Sequence, residues 1–364
     1  MATIYDIAKI AGVAPKTVAR ALNGEGPVKS ETRDKIEKAA AALGYVPSQA
    51  ARAMRSNRSG LVGLVTGAIS TTPQDAGSAG LPDIHIVQGI QMALADAGVT
   101  LLISDIAGRE DRTPALFRTL LEHRVEGLFY VAPHHQVVEL PEFLGEAPIV
   151  LVNCFDRRGT PSIVPDDESG QRDLVARLIA FGHRRIGYLT LPEDMVAHRL
   201  RLNGYRRALR DAGLQFDPDL VQLGDAGGKY YETTLLASAI DRLLALDDPP
   251  TVLCCGNDRL ALKVYGLLRM RGLRLPEDIG VAGYDDHRAI SELLVPPLTT
   301  AELPYRAIGA RAAERLLALM RNQQSATASV PEKVGGAIKW RQSVRSLDAK
   351  VKAMKGARSK ELKA

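Results

Sequence analysis

Residues Thr3 to Leu22, TIYDIAKIAGVAPKTVARAL, leave this chain few options at its N-terminal end. Ile4, Ile7, Ala8 and Ala11 fall at i, i+3, i+4 and i+7, which is one apolar helix face. Thr3 is placed to cap that helix, Gly12 to end it, and Val13 to fill the joint behind it. A second run turns Val18, Ala21 and Leu22 inward and leaves Pro15, Lys16, Thr17 and Arg20 facing out. Two short helices around a three- to four-residue turn make a helix-turn-helix, whose second helix lies in the major groove of DNA. A plain helical hairpin has the same periodicity, so the rest of the chain must decide between them.

At 364 residues the chain exceeds one ordinary core, so two or three domains are expected. It has no run of 18 or more apolar residues, which excludes an ordinary membrane span. The first residues, MATIYDIAKI, lack a basic stretch leading into an apolar core, so the expectation is a cytoplasmic protein with no secretory signal. Cys154, Cys254 and Cys255 are few and odd in number, as suits free thiols in a reducing compartment. The adjacent pair sits in the apolar run Thr251 to Cys255 and reads as a buried strand. No metal-ligand spacing is present, and no cofactor is implied.

The net charge of +5 is unevenly spread. Residues 1–60 carry ten Lys/Arg against five Asp/Glu, residues 339–364 nine against two, and the middle is acidic. A basic head on an acidic body points the head at a polyanion, with DNA phosphates the first candidate. The basic tail can equally be a solubilising extension.

After the loop Asn23 to Pro27, Ser30 is placed to cap a third helix, Glu31 to Leu43. Its Ile36, Ala39, Ala40 and Leu43 can close a small core, and Gly44 stops it. Residues 48–55, Ser-Gln-Ala-Ala-Arg-Ala-Met-Arg, have helix propensity but too little apolar surface to hold a helix alone. Such a piece is helical or not depending on a partner. Residues 3–65 resemble the head and first body strand of the lactose/galactose-repressor family of bacterial transcription regulators. TIYDIAKIAGV, TVARALNG, the Val28-Lys29-Ser30-Glu31-Thr32-Arg33 run, LGYVPS and ARAM carry the resemblance. It implies double-stranded operator DNA as partner, contacted by Thr3, Pro15, Lys16, Thr17, Arg20 and Asn23 of the head. It also implies that residues 48–59 become a hinge helix on DNA, with Ala51 and Met54 in the minor groove and Met54 wedged between base steps.

Two departures bear on what the head reads. Ala19 stands where the family has Ser, and Ala14 stands where a Ser caps the second helix, a loss of about 1 kcal/mol. Pro15 offsets part of it, because its φ is preset for a first helical turn. Lys16 and Arg20 can hydrogen-bond guanine edges, whereas Pro15 offers only apolar contact.

From Gly60 onward short apolar runs alternate with helical stretches. The runs are Leu61 to Thr66, Val99 to Ser104, Gly127 to Val131 and Ile149 to Val152, and then Ile186 to Thr190, Val221 to Leu223, Thr251 to Cys255 and Ile279 to Gly283. Alternation of this kind gives a parallel sheet with helices on both faces, and its repetition gives two similar lobes with a cleft between them. Ligands of open α/β sheets sit beyond the carboxyl ends of the strands. Asn153, Asp166, Asn257 with Asp258, and Asp285 with Asp286 follow strands directly. Asn and Asp also start turns and cap helices there, and Asp258 and Asp286 are the stronger candidates for capping.

The body resembles the same family through Gly182-His-Arg-Arg-Ile186, Arg201-Leu-Asn-Gly-Tyr205, Gly256-Asn-Asp258, Gly283-Tyr-Asp-Asp286 and Pro296-Pro-Leu-Thr-Thr300. The resemblance covers roughly residues 3–343. It implies a small all-α helix-turn-helix head (residues 1–47), the hinge (48–59), a two-lobed α/β body like a periplasmic binding protein (60–343), and a basic tail (344–364). It further implies a homodimer and a small-molecule effector, a sugar before others, held by Arg201, Asn257 and Asp285 with Asp166 beside them. Asp and Asn suit hydroxyls, and Arg offers a planar fork for diols or carboxylates. The chain departs from the family at Gly67 to Ile86, where Gln74, Asp75 and His85 can line a new rim or lie on plain surface, and at Gly224 to Gly227, where Tyr230 or Tyr231 can replace an aromatic. Val344, Leu347, Val351 and Met354 are spaced like a short heptad run, too short for a tetramerising coil.

Two other readings remain open at this point. A solute-binding protein for transport would use the same body but not the basic helical head. An enzyme would need a nucleophile, base and orienting group, and no such set is visible. Met54→Ala is expected to weaken binding to a specific operator while leaving binding to random duplex nearly intact. Equal loss on both duplexes in a mobility-shift assay would remove the wedge role from Met54.

Overall fold

The structure is a computed structural model that describes residues 2–23, 26–45, 59–67, 84–144, 147–225, 232–321 and 330–347. Ala51 and Met54 of the hinge, Gln74, Asp75, Tyr230, Tyr231 and the tail from residue 348 lie outside the described residues. The chain divides into two compact units, Met1–Gly60 and Leu61–Ala364.

In the head, α1 (Ile4–Ala11) begins with a reciprocal cap. The Thr3 backbone N–H donates to Asp6 Oδ2 at 2.8 Å, and the Asp6 N–H donates to Thr3 Oγ1 at 3.4 Å. Gly12 ends the helix at φ 66°, a left-handed conformation that suits a residue without Cβ. Helices α2 (Pro15–Asn23) and α3 (Ser30–Ala42) pack on it through Ile7, Ala8, Val18, Ala21, Ile36, Ala39 and Ala40, all buried. Ser30 does not cap α3: it is already helical, and Lys29 occupies the cap position with no side-chain bond.

The body holds two six-stranded sheets. The first is built from β1 (Leu61–Thr66), β2 (Thr100–Asp105), β3 (Leu128–Val137), β4 (Ile149–Phe155), β5 (Ser162–Pro165) and β11 (Glu332–Val334). Their order is β11-β5-β4-β3-β1-β2, parallel throughout. The second comprises β6 (Ile186–Thr190), β7 (Val221–Leu223), β8 (Val252–Cys255), β9 (Gly280–Asp285), β10 (Thr299–Glu302) and β12 (Ile338–Lys339), in the order β12-β10-β9-β8-β6-β7 with only β12 antiparallel. The chain therefore passes between the lobes after Pro165, after Glu302 and after Val334.

Side-chain alternation sends each sheet's apolar residues to two helix layers. In the first lobe Val62, Leu64, Phe129, Val131, Val150 and Val152 meet α4 (Ile84–Asp96) and α10 (Tyr305–Met320). Val65, Leu128, Tyr130 and Leu151 turn the other way onto α5 (Thr113–Glu122). In the second lobe Tyr188, Val252, Cys254 and Ala282 face α6 (Asp167–Ala180) and α7 (Val196–Asp211). Leu189, Leu253, Cys255 and Val281 face α8 (Glu232–Leu244) and α9 (Asp258–Met270). The adjacent Cys254 and Cys255 are thus buried, free, and directed to opposite faces of one strand, which accounts for them without redox or metal chemistry.

The described start of the heptad-spaced run packs on the body. Val344 is buried in the second lobe's core, and the Leu347 N–H donates to the Phe181 carbonyl at 2.8 Å. Among the described residues no helix is long and apolar enough to cross a membrane.

Helices α6 and α7 approach closely because Gly204 has no side chain, and a Cβ there would run into the Glu168 carbonyl. Gly204→Ala should lower stability by about 1–3 kcal/mol. Gly266 in α9 has open space around it, so Gly266→Ala should raise stability by about 0.5–1 kcal/mol. Urea midpoints of the two variants moving in the same direction would contradict this reading.

Candidate DNA interface and ligand cleft

In the head, α2 owes its placement to Val18 and Ala21, which are buried against α1 and α3. That anchoring leaves Lys16 and Arg20 exposed on the outer face, with Pro15 and Thr17 half-buried at its start. Backbone bonds hold the first turn: the N–H groups of Thr17 and Val18 donate to the Ala14 carbonyl at 2.8 and 3.2 Å. Thr3 is exposed, and its side chain is engaged in the cap of α1. Asn23 closes α2.

In the body the polar residues converge between the lobes on the Arg201 guanidinium. Arg201 lies in the second turn of α7, and its side chain is 5% exposed. Its Nε donates to Asp167 Oδ1 at 2.8 Å, its Nη1 donates to the Gly256 carbonyl, and its Nη2 lies 3.7 Å from Asp285 Oδ1. The guanidinium plane sits 3.7 Å from the centroid of the Tyr284 ring. Such stacking and forked hydrogen bonding are what a guanidinium provides and an ammonium cannot.

Asp167 is the first residue of α6, where the helix dipole favours a negative charge. Burial drives its carboxyl upward, but the Arg201 charge and the His135 hydrogen bond outweigh burial and hold it below the usual carboxylate range. Asp285 ends β9 and behaves oppositely. Burial raises its carboxyl far above that range, Arg201 opposes the rise, and the Asp258 carboxylate adds to it. Its Oδ2 is buried without a hydrogen-bond partner.

The first lobe supplies His135 through a break in the ladder. Val131 of β3 pairs with Val152, but the next pair is Gln136 with Cys154, so four residues, Ala132 to His135, stand opposite Asn153 alone. This bulge carries His134 and His135 to the cavity. Asn153 adopts φ 59° and donates from Nδ2 to the Ala132 carbonyl at 3.1 Å, tying the bulge down. The His135 ring meets Phe155 edge-on at 5.7 Å, and its Nδ1 lies 2.8 Å from Asp167 Oδ2.

These groups line a compartment of about 60 Å³ that includes His135, Asn153, Asp167, Arg201, Asp285 and Tyr305. Asp285, Leu303 and Tyr305 also wall an open cavity of about 670 Å³, which His85, Asp286, His287 and Arg306 help to line. Of the four effector residues expected from the sequence, Arg201 and Asp285 come together. Asn257 and Asp166 line neither cavity. Asn257 caps α9, accepting the Leu260 N–H at 2.8 Å, and Asp166 caps α6, accepting the Ser169 N–H at 3.3 Å. The expected assignment of capping to Asp258 is therefore corrected: Asp258 is buried inside the first turn and accepts from Thr300 Oγ1 at 2.7 Å and the His287 N–H at 2.8 Å. Asp286 pairs with Arg341 at 2.7 Å.

His135 and Asp167 were missed in the sequence. Asp167 sits in a run of three acids, where nothing marks it as the buried one, and a bulge has no local sequence signature. His85, considered for the rim, does line the larger cavity, with its Nδ1 3.0 Å from Gln88 Oε1.

A helix-turn-helix head joined to a two-lobed body with a charged interlobe cleft is the plan of a ligand-responsive DNA-binding regulator. Residues 3–48 match the family model for bacterial regulatory proteins of the lacI family, and residues 175–344 match the periplasmic binding protein-like domain. The sucrose operon repressor of Escherichia coli is 34% identical over 319 residues, 87% of this chain and 94% of that protein. Two solved structures are similar over 94% of this chain. The lac repressor dimer bound to operator and the anti-inducer ONPF has a TM-score of 0.75 at 28% identity and is covered over 99% of its length. The transcriptional regulator CelR–cellobiose complex has a TM-score of 0.63 at 29% identity and is covered over 100%. The chain belongs to the lacI family of bacterial regulatory proteins, and its function is DNA-binding transcriptional regulation, not catalysis.

Asp258 supplies a pH test of the second lobe's interior. Burial pushes its carboxyl up to about 7, so the stability tied to its neutral form is complete below the ordinary carboxylate range and is lost as pH rises toward 7. Asp258→Asn should flatten the fall in stability between about pH 4 and pH 7. An unchanged slope in urea titrations across that window would remove Asp258 as its source.

Proposed function

We propose that this protein is a repressor that binds a pseudo-palindromic operator as a homodimer and loses or gains operator affinity when a sugar binds between its lobes. The observation that carries the reading is the Asp285 Oδ2 atom, buried and unpartnered beside the Arg201 guanidinium. A buried polar atom left unpaired costs roughly 1–3 kcal/mol, and a ligand hydroxyl would recover it. Arg201 and Asp285 are assigned the effector contacts, and Asn257 and Asp166 the caps of helices that end at the cleft. Lys16, Thr17 and Arg20 read base edges, while Thr3, Pro15 and Asn23 support and flank that surface. Ala51 and Met54 act at the minor groove.

The CelR–cellobiose complex favours a sugar as the class of effector. Exposed apolar side chains favour a partner surface: Met92 and Ile103 in the first lobe, and Leu262, Met270, Leu293 and Val295 in the second. The cytoplasm is the compartment where such a protein meets its operator. Signal transfer requires that the effector bind the lobe arrangement of one state more tightly than that of the other.

Selection of duplexes on the purified protein, with and without a panel of sugars at fixed salt, tests this reading. A palindromic consensus is expected, with occupancy that shifts with one sugar or a few. Arg201→Lys, which keeps the charge but not the planar fork, should keep operator binding and weaken the sugar response. No preference over random duplex would refute the DNA reading, and a full response from the Arg201 variant would refute the cleft assignment.

A further inference from the structure

We infer that His135 is a ligand-contact residue whose Nε2 accepts a hydrogen bond from an effector hydroxyl; this rests on the effector reading of the cleft. Asp167 Oδ2 lies 2.8 Å from His135 Nδ1, while Asp167 Oδ1 takes the Arg201 Nε–H. An ionised carboxylate has only acceptors, so the Nδ1 proton must be on the ring and must point at Asp167. That fixes the tautomer, as a carboxylate does for a metal-bound or catalytic histidine. Nε2 is then the ring's remaining position toward the compartment, an acceptor when the ring carries one proton.

No described residue hydrogen-bonds to Nε2. The His135 side chain is 5% exposed, its ring is held by Phe155, and the residue lines the 60 Å³ compartment. An acceptor at a cavity wall, with its orientation fixed from behind, is a recognition element. Asp285, with an unpartnered Oδ2, lines the same compartment. The compartment has room for on the order of two to four water molecules. It therefore takes one or two hydroxyl groups of a ligand rather than a whole sugar ring. A hydroxyl there can donate to His135 Nε2, and a neighbouring one can meet Asp285. His135 belongs to the first lobe, and Asp167, Arg201 and Asp285 to the second. One hydroxyl-bearing edge thus touches both lobes, which is the requirement for sensing their arrangement.

Two substitutions separate ligand contact from structural support. The Asn amide nitrogen occupies the place of imidazole Nδ1, so His135→Asn keeps the bond to Asp167 and deletes the acceptor at Nε2. The Gln amide reaches the place of Nε2, so His135→Gln restores an acceptor in the cavity. Calorimetric titrations with sucrose, cellobiose and ribose first establish which of them the wild type binds. For that sugar, His135→Asn is expected to weaken binding about tenfold or more, and His135→Gln to recover most of the loss. Wild-type sugar affinity in His135→Asn would overturn the inference, as would equal losses in both variants. If none of the three sugars binds the wild type, the sugar reading fails by itself. The imidazole tautomer in ligand-free protein then decides: a nitrogen spectrum with the proton on Nδ1 supports the inference, and a proton on Nε2 overturns it.

Discussion

The body depends on how the Arg201 charge is neutralised. A guanidinium that is 5% exposed cannot remain in a protein interior without partners, and Arg201 engages one carboxylate directly, one carbonyl, a second carboxylate at 3.7 Å and a tyrosine face. Those partners come from α6, from the end of β8, and from β9, so the charge fixes the relative positions of three segments of the second lobe. Removing any one partner leaves the others with a geometry built for a cation that is no longer balanced. Asp167 then extends the network to His135 in the first lobe. Packing alone would not align the lobes in this way, because each has its own apolar core.

Much of the architecture was legible in periodicity. β1, β6 and β7 run over Leu61–Thr66, Ile186–Thr190 and Val221–Leu223, the same spans that apolar content marked. These strands are buried on both faces or bounded by turn residues, so composition alone delimits them. β3 and β4 run several residues past their apolar stretches, to Val137 and Phe155. There the strands pass through the unpaired Pro133, His134, His135 and Asn153, polar or turn-forming residues that local propensity would place in a loop, before pairing resumes at Gln136 with Cys154. The strand ends that escape a sequence reading are thus the ones that reach the cleft. Tertiary pairing overrides propensity there, because the opposite strand and the bulge satisfy the backbone.

The cleft residues divide the same way. Arg201 and Asp285 were visible because they sit where a strand ends or a helix faces the lobe junction, and the family resemblance marked them. Asn257 and Asp166 were visible for the same positional reason but carry caps, since a residue just after a strand is also the residue just before a helix. Position could not separate the two roles. What separates them is a hydrogen bond to the backbone three residues on, which both make and Asp285 does not. Asp167 and His135 depend on three-dimensional proximity across 32 positions of sequence.

Two carboxylates flank one guanidinium, and their environments push them apart. Asp167 is held low and Asp285 high, although both are buried and both approach Arg201. The difference follows from contact. Asp167 has a direct bond to the guanidinium and another to imidazole, whereas Asp285 has a longer ion pair, an acidic neighbour in Asp258, and an oxygen with no partner. One acid therefore serves as the permanent counterion and the other is left unsatisfied. In the proposed function, this unsatisfied group at the lobe junction is interaction energy that a ligand recovers in lobe arrangements that bring it within reach. Because a ligand shifts an equilibrium by no more than its difference in affinity for the two states, this is the energetic requirement for a switch. A fully paired cleft would stabilise the body equally with or without a ligand, and the head would receive no signal.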